Sequence, residues 1–293
     1  MREVLAASRP FSWINTAYPF AAGYLMATGG RLDATFVVGT LFFLVPYNLL
    51  MYGVNDVFDY ASDLRNPRKG GIEGGLVAPE RAAAVHRRIL WASVLSTLPF
   101  VVWLVVVGSA AATAVLALVL FLVVAYSAPG LRFKERPVLD SFTSAMHFVG
   151  PLLYALVLVD ADLRAPTVWP VLVAFVLWGM ASHAFGAVQD VRADREGGIA
   201  SVATALGAHP TVVLSTLLYV GAAAVLLVVP WPGVLAAVLP LPYAVSTALF
   251  WRVTDDDCER ANAGWRRFLW LNLVTGFLVT MLLIAIARTS TGS

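Results

Sequence analysis

Two sets of acidic residues stand out against an apolar background: Asn55-Asp56-x-x-Asp59-x-x-x-Asp63 and Asp190-x-x-x-Asp194. Side chains four residues apart share one face of a helix, so Asp59 with Asp63, and Asp190 with Asp194, each present a pair of carboxylates. Carboxylate oxygens are the ligands that hard divalent cations such as Mg²⁺ prefer. Two such pairs at one membrane surface would suit a cation-bridged diphosphate and would offset the charge collecting on it as it departs. Asn48, Tyr52 and Asn55 continue the first stripe, at helical spacing, back into apolar sequence. Polar groups at membrane depth are costly and usually face a cavity, which makes Asn48 and Tyr52 candidate cavity residues. Asn15 is a further amide in apolar surroundings. Hydrogen bonding between helices is the alternative reading for both asparagines.

Membrane-crossing helices must hold these residues. The 293-residue chain is 59% hydrophobic and only 13% charged, with a mean hydropathy of +0.78. That composition excludes an ordinary soluble domain. Nine apolar runs approach the ~20 residues that cross a bilayer's hydrocarbon core: 11–28, 36–54, 89–107, 110–126, 141–158, 168–186, 211–229, 235–252 and 267–287. Backbone amides in lipid must be satisfied within the segment, and no alternating barrel pattern is present, so all nine are predicted helices. The expectation is an all-α, nine-helix membrane bundle over 1–293, a single domain whose central cavity opens to the cytoplasm. The acidic motifs follow the second and sixth runs, and both aspartate pairs are offset by 131 residues. This suggests a pseudo-repeat of helices 1–4 and 5–8, followed by a ninth helix.

Sidedness follows from the basic residues. With the N-terminus inside and the C-terminus outside, every Lys and Arg except Arg31, Arg164 and Arg288 falls on the cytoplasmic side, as the positive-inside rule requires. The expected location is the cell membrane, multi-pass. The net charge of +2 merely reflects this sidedness and gives no support for a nucleic-acid partner. The lone cysteine, Cys258, excludes an intramolecular disulfide. The first run contains Asn15, Tyr18 and Pro19 and reads as a span, not a cleaved leader.

The paired motifs, together with Gly198-x-x-Ser201-x-Ala203-Thr204-x-Leu206-Gly207 and Tyr126-x-x-Pro129-x-x-x-x-Lys134, resemble the UbiA-type intramembrane prenyltransferase superfamily over nearly the whole chain. The resemblance implies Mg²⁺-dependent transfer of a prenyl group from its diphosphate to a lipophilic acceptor in the bilayer. Its implied catalytic set is Asn55, Asp59, Asp63, Asp190 and Asp194, the four aspartates being the metal ligands, with Asn15 near the substrate. Two stretches, Ser8 to Ala21 and Asp63 to Gly74, are similar to the lycopene elongase branch. That narrower likeness implies dimethylallyl diphosphate as donor and lycopene as acceptor, and allows a carotenoid cyclase partner. Arg68, Lys69 and Lys134 lie in loops where they could reach diphosphate oxygens, or could serve only as basic anchors.

Other positions have competing readings. Arg192 lies between the second pair of aspartates, where a salt bridge to Asp56 or Glu196 competes with a ligand role. His183, seven residues before Asp190, and His147 read as satisfied core histidines, with His183 alternatively a terminal proton acceptor. Asp255-Asp256-Asp257 lacks helical spacing and reads as a solvated loop. An aromatic acceptor is the alternative within the superfamily. A transporter is the alternative outside it, although transport sites favour the midplane and these acids cluster at one surface.

Overall fold

The computed structural model describes residues 2–63 and 77–291, with side chains described for 2–60 and 77–289. Among the described residues the chain is helical, with no strand. The helices are α1 (Arg2–Ala7), α2 (Trp13–Thr28), α3 (Ala34–Leu44), α4 (Pro46–Asp63), α5 (Pro79–Val107), α6 (Ala110–Ser127), α7 (Leu139–Leu158), α8 (Val168–Val188), α9 (Val191–Glu196), α10 (Val202–Leu206), α11 (Ala208–Leu226), α12 (Leu241–Ala248) and α13 (Asn262–Thr291).

Seven stretches of described helix are long and apolar enough to cross a membrane. They are Ala34–Tyr60, α5, α6, α7, α8, α11 and Cys258–Thr289. The first and eighth expected spans come out shorter. α2 has 16 residues, and the region of 235–252 holds a 3₁₀ turn at Gly233–Val238 followed by α12. The expected run 36–54 is really two helices. Pro46 has no N–H to continue α3, and the chain re-enters helix from that residue.

Two compact units are formed, residues 1–133 with 150–161, and 134–149 with 162–293. In the first, Phe20, Tyr24, Phe42, Phe43, Tyr47, Leu116, Val119 and Tyr154 make a closed core. Phe20 and Phe43 have ring centroids 5.1 Å apart. Gly39 is required beside them, because a Cβ there would stand 2.1 Å from the Phe20 ring. Asp33 starts α3 by accepting the Phe36 N–H at 2.9 Å, and this bond holds its carboxyl below the ordinary range. In the second unit α8 packs on α11, α13 and α10. Trp178, Tyr219, Tyr243 and Phe268 cluster there, with Ser182 and Tyr219 hydroxyls 2.9 Å apart. Tyr243 donates toward Asn272 or Thr275, each at 2.9 Å.

Lipid tails are as apolar as leucine, so helix association in a bilayer depends on close packing and interhelical hydrogen bonds. The small-residue approach of Gly179 to Ala145, where a Cβ would meet that of Ala145 at 2.7 Å, is packing of this kind. Trp91, Leu95, Val102 and Val106 on α5, and Trp270, Leu273 and Phe277 on α13, are exposed. Apolar faces of that extent are unusual on soluble monomers and suit contact with lipid.

Candidate active site

The first motif is built on α4. Asn55 donates from Nδ2 to Asp59 Oδ2 at 2.7 Å and to Ser127 Oγ at 2.9 Å. Both amide hydrogens are therefore committed, and they fix the carboxylate against the end of α6. Asp59 is only 5% exposed. Arg132 Nη2 lies 3.7 Å from Asp59 Oδ1, so a cation attends a nearly buried carboxylate. Arg132 follows Gly130, whose φ of 85° lets the loop turn back after α6. Asp63 is the last residue of α4; its side chain lies outside the described residues, as do Arg68 and Lys69.

One turn deeper, Tyr52 lies under the Arg9 guanidinium, 4.5 Å from ring centroid to Cζ. Arg9 also bonds Asp56 Oδ1 at 3.0 Å. Asn48 is fully buried. Its Nδ2 donates to Phe43 O at 2.8 Å, Leu44 O at 3.1 Å and Thr16 Oγ1 at 2.6 Å. The Thr16 hydroxyl donates in turn to Phe43 O at 2.7 Å. Asn48 and Thr16 thus serve carbonyls freed where Pro46 interrupts the helix, a repair that side chains commonly make in membrane helices. Asn15, expected to be buried, is exposed on α2.

The second motif departs from a continuous helix. α8 ends at Val188, and Asp190 stands before the short α9, which carries Asp194. The bond from Asp194 N–H to Asp190 O at 2.8 Å nevertheless retains the four-residue helical relation across the break. Gln189 anchors this corner, accepting from Asn262 Nδ2 at 2.6 Å and donating to Gly186 O at 2.9 Å. Arg192 forms its ion pair with Glu259, a partner that the sequence reading did not consider. His183 Nδ1 is 3.1 Å from Ser141 Oγ. Asp140, fully buried, accepts N–H groups of Ser141 at 2.6 Å and Val202 at 2.7 Å. Ser201 and Thr204 form a capping box at the start of α10. Lys134 lies in a 3₁₀ turn, Phe133–Glu135, at partial exposure.

The donor chemistry fits a hard cation. The described residues contain no group of three His, Cys, Asp or Glu that would hold a metal on its own. Mg²⁺, however, usually takes one or two carboxylates and completes its shell with substrate phosphates and water. Asp59, oriented by an amide, and the Asp190–Asp194 corner are carboxylates of that type. Sequence reasoning missed Ser127 and Arg132 as neighbours of Asp59. The signal was present in Tyr126-x-x-Pro129, which places both next to a recognised stretch.

The chain is 54% identical over 279 residues to the C(50) beta-cyclic carotenoids biosynthesis protein LbtBC of Dietzia sp., covering 95% of this chain but only 63% of that longer protein. It is 49% identical over 286 residues to a lycopene elongase/hydratase of Corynebacterium glutamicum, covering 98% of both. In fold, it resembles a UbiA homolog from Archaeoglobus fulgidus bound to DMAPP and Mg²⁺, with a TM-score of 0.60 at 16% identity, covering 93% of this chain and 98% of that one. An apo UbiA homolog from Aeropyrum pernix K1 aligns with a TM-score of 0.63 at 18% identity, covering 94% and 98%. Residues 16–274, which include Asn55, Asp59, Asp190 and Asp194, match the UbiA prenyltransferase family, and the chain belongs to that family.

Proposed function

We propose that this protein transfers a dimethylallyl group from dimethylallyl diphosphate to lycopene within the membrane. The observation that carries the reading is the carboxylate of Asp59, 5% exposed at the end of an apolar helix and fixed by Asn55. The Corynebacterium relative that matches end to end supports the acceptor, and the DMAPP and Mg²⁺ of the Archaeoglobus structure support the donor and the ion. Asp59, Asp63, Asp190 and Asp194 would hold Mg²⁺, whose chemistry is to neutralise charge on the diphosphate.

The protein's own part is to bind, orient and exclude water. Asn55 keeps the Asp59 carboxylate in one orientation. Arg68, Lys69 and Lys134 bind diphosphate oxygens, and Arg132 adds a positive charge beside Asp59. The C1–O bond of the donor breaks with its electron pair leaving on the diphosphate. The terminal double bond of lycopene then supplies the electrons for a new bond to C1. The tertiary cation that results ends by losing a proton or by adding water and losing a proton. An alkene has no proton to remove at the start, so no general base is needed to begin. Tyr52, with Asn15, lines the acceptor side, while Asn48, fully buried, holds the α3–α4 junction. The setting is a nine-span bundle with its N-terminus inside and its C-terminus outside, built as a pseudo-repeat with a cavity open to the cytoplasm. No observation supports a cyclase partner.

Membranes containing the protein, incubated with lycopene, dimethylallyl diphosphate and Mg²⁺, should yield products heavier by one or two isoprene units, with or without added water. Chelation should abolish them. Unchanged lycopene beside folded protein would redirect the search to aromatic acceptors and longer donors.

A further inference from the structure

The second acidic pair depends on a helix too short to sustain itself. α9 has six residues, and isolated helices below about 12–15 residues are marginal. Two arginines on it reach outward to a loop far along the chain. Arg195 gives Nε and Nη2 to the carbonyl of Thr204, at 3.2 and 2.9 Å, and Nη1 to Asp255 Oδ2 at 2.5 Å. Arg192 bonds the carbonyl of Asp256 at 3.3 Å and pairs with Glu259.

Asp255 does more than neutralise Arg195. Its other oxygen accepts the N–H of Ala208, the first residue of α11, at 2.6 Å. That end of a helix presents unsatisfied N–H groups and a partial positive charge. Gly207, at φ 89°, permits the approach: a Cβ there would stand 3.2 Å from Asp255 Oδ1. One carboxylate thus joins α9, the start of α11 and the 253–257 loop. The Ala208 N–H, followed by Arg195, keeps its carboxyl below the usual carboxylate range, so the bridge stays charged at neutral pH. The expectation of a merely solvated Asp-rich loop is corrected at this residue.

We infer that Asp255 is a positioning residue for the second acidic motif, fixing α9 through Arg195 and thereby the placement of Asp190 and Asp194. The inference rests on the role proposed above for those two aspartates. Asp255 and Arg195 side chains are 41% and 44% exposed, and pairs so open to water add little to global stability. Their consequence is local order.

The test uses full-length protein in detergent. Asp255→Asn keeps an acceptor for the Ala208 N–H, since Asn serves well at helix starts, but removes the charge that Arg195 grips. Expected are a melting temperature close to the parent's and faster amide hydrogen exchange across 190–199. The Mg²⁺ concentration for half-maximal rate and the KM for dimethylallyl diphosphate should rise about tenfold, the scale of losing a ligand's supporting partner, with kcat changed much less. Asp255→Glu should recover part of both. Parental exchange at 190–199, or faster exchange with parental Mg²⁺ dependence, overturns the inference while Asp190→Ala still abolishes turnover. Turnover retained in Asp190→Ala instead overturns the motif reading and the inference with it.

Discussion

Asp59 is a charge that membrane depth should penalise, and its surroundings show how the protein keeps it ordered. Asn55 spends both amide hydrogens on it and on Ser127, and Arg132 stands 3.7 Å away. The carboxylate therefore has one orientation before any substrate arrives. Asn55→Ala should lower Mg²⁺ affinity or turnover about 10–100-fold, the usual cost of removing a hydrogen bond that orients a metal ligand. Rates measured across a Mg²⁺ titration test this, and a curve identical to the parent's would remove Asn55 from the site. Ser127→Ala should cost less, because Asn55 keeps its bond to Asp59. At this scale the sequence was informative where chemistry follows from spacing. Asn55 and Asp59 are four residues apart on one helix, and their meeting needed no fold. Ser127 and Arg132 were hidden because their approach to Asp59 depends on how α6 ends beside α4. Arg192 was hidden for the same reason: Glu259 is distant in sequence, and no periodicity links the two.

At the scale of elements, prolines and short helices set the departures from a regular pattern. Apolar periodicity locates α5 to α8 within a few residues, although α5 begins at Pro79 and not at 89. It cannot locate the α3–α4 break, since the run stays apolar through Val45-Pro46. Nor can it locate the α8–α9 break, since Asp190 and Asp194 retain helical spacing across it. Asn48 is where the first break is repaired. Asn48→Leu preserves approximate size but leaves buried carbonyls with fewer donors, which should cost ~1–3 kcal/mol, read as a lower melting temperature in detergent. A stability equal to the parent's would mean that Thr16 alone suffices. The 253–260 loop makes a separate prediction through Asp257. Its carboxyl is held down to about 2, first by the Thr254 N–H and then by Arg260 and the Thr254 hydroxyl. A lowered folded pKa means that the turn's contribution is fully present above the free Asp value of about 3.9. It is lost only as pH falls through about 2. The turn should thus be insensitive to pH between 5 and 8. Asp257→Asn, which removes the charge at every pH, should expose Arg260 to faster tryptic cleavage.

For the whole molecule the open quantity is how many times the chain crosses the bilayer, and helix geometry makes the question sharp. α2, with 16 residues, is about 24 Å long at 1.5 Å per residue, short of a ~30 Å hydrocarbon core. The Gly233–Ala248 region is also 16 residues, but its first part is 3₁₀ helix, which rises about 2.0 Å per residue. Neighbouring turns add to both: Pro10–Ser12 precedes α2 as a further 3₁₀ turn, which brings the first segment near spanning length. The distribution of basic residues argues the same way, because only Arg31, Arg164 and Arg288 fall outside if both short segments cross. Were α2 to stay on one side, Arg31 would join Arg2 and Arg9 there. Cys258 is buried, so it can be replaced by alanine and single cysteines introduced at exposed positions for labelling with a membrane-impermeant maleimide. With nine spans, Arg31→Cys and Arg2→Cys should label from opposite sides, as should Trp231→Cys and Arg252→Cys. Same-side labelling of the first pair would mean that α2 only dips into the bilayer, and of the second pair that the Gly233–Ala248 region does. Arg136→Cys and Arg164→Cys flank α7, which is long and apolar enough to cross by itself, so their opposite labelling validates the assay. Arg136 reacting only from the cytoplasmic face would establish that the loop carrying Lys134 meets the compartment from which a soluble diphosphate substrate arrives.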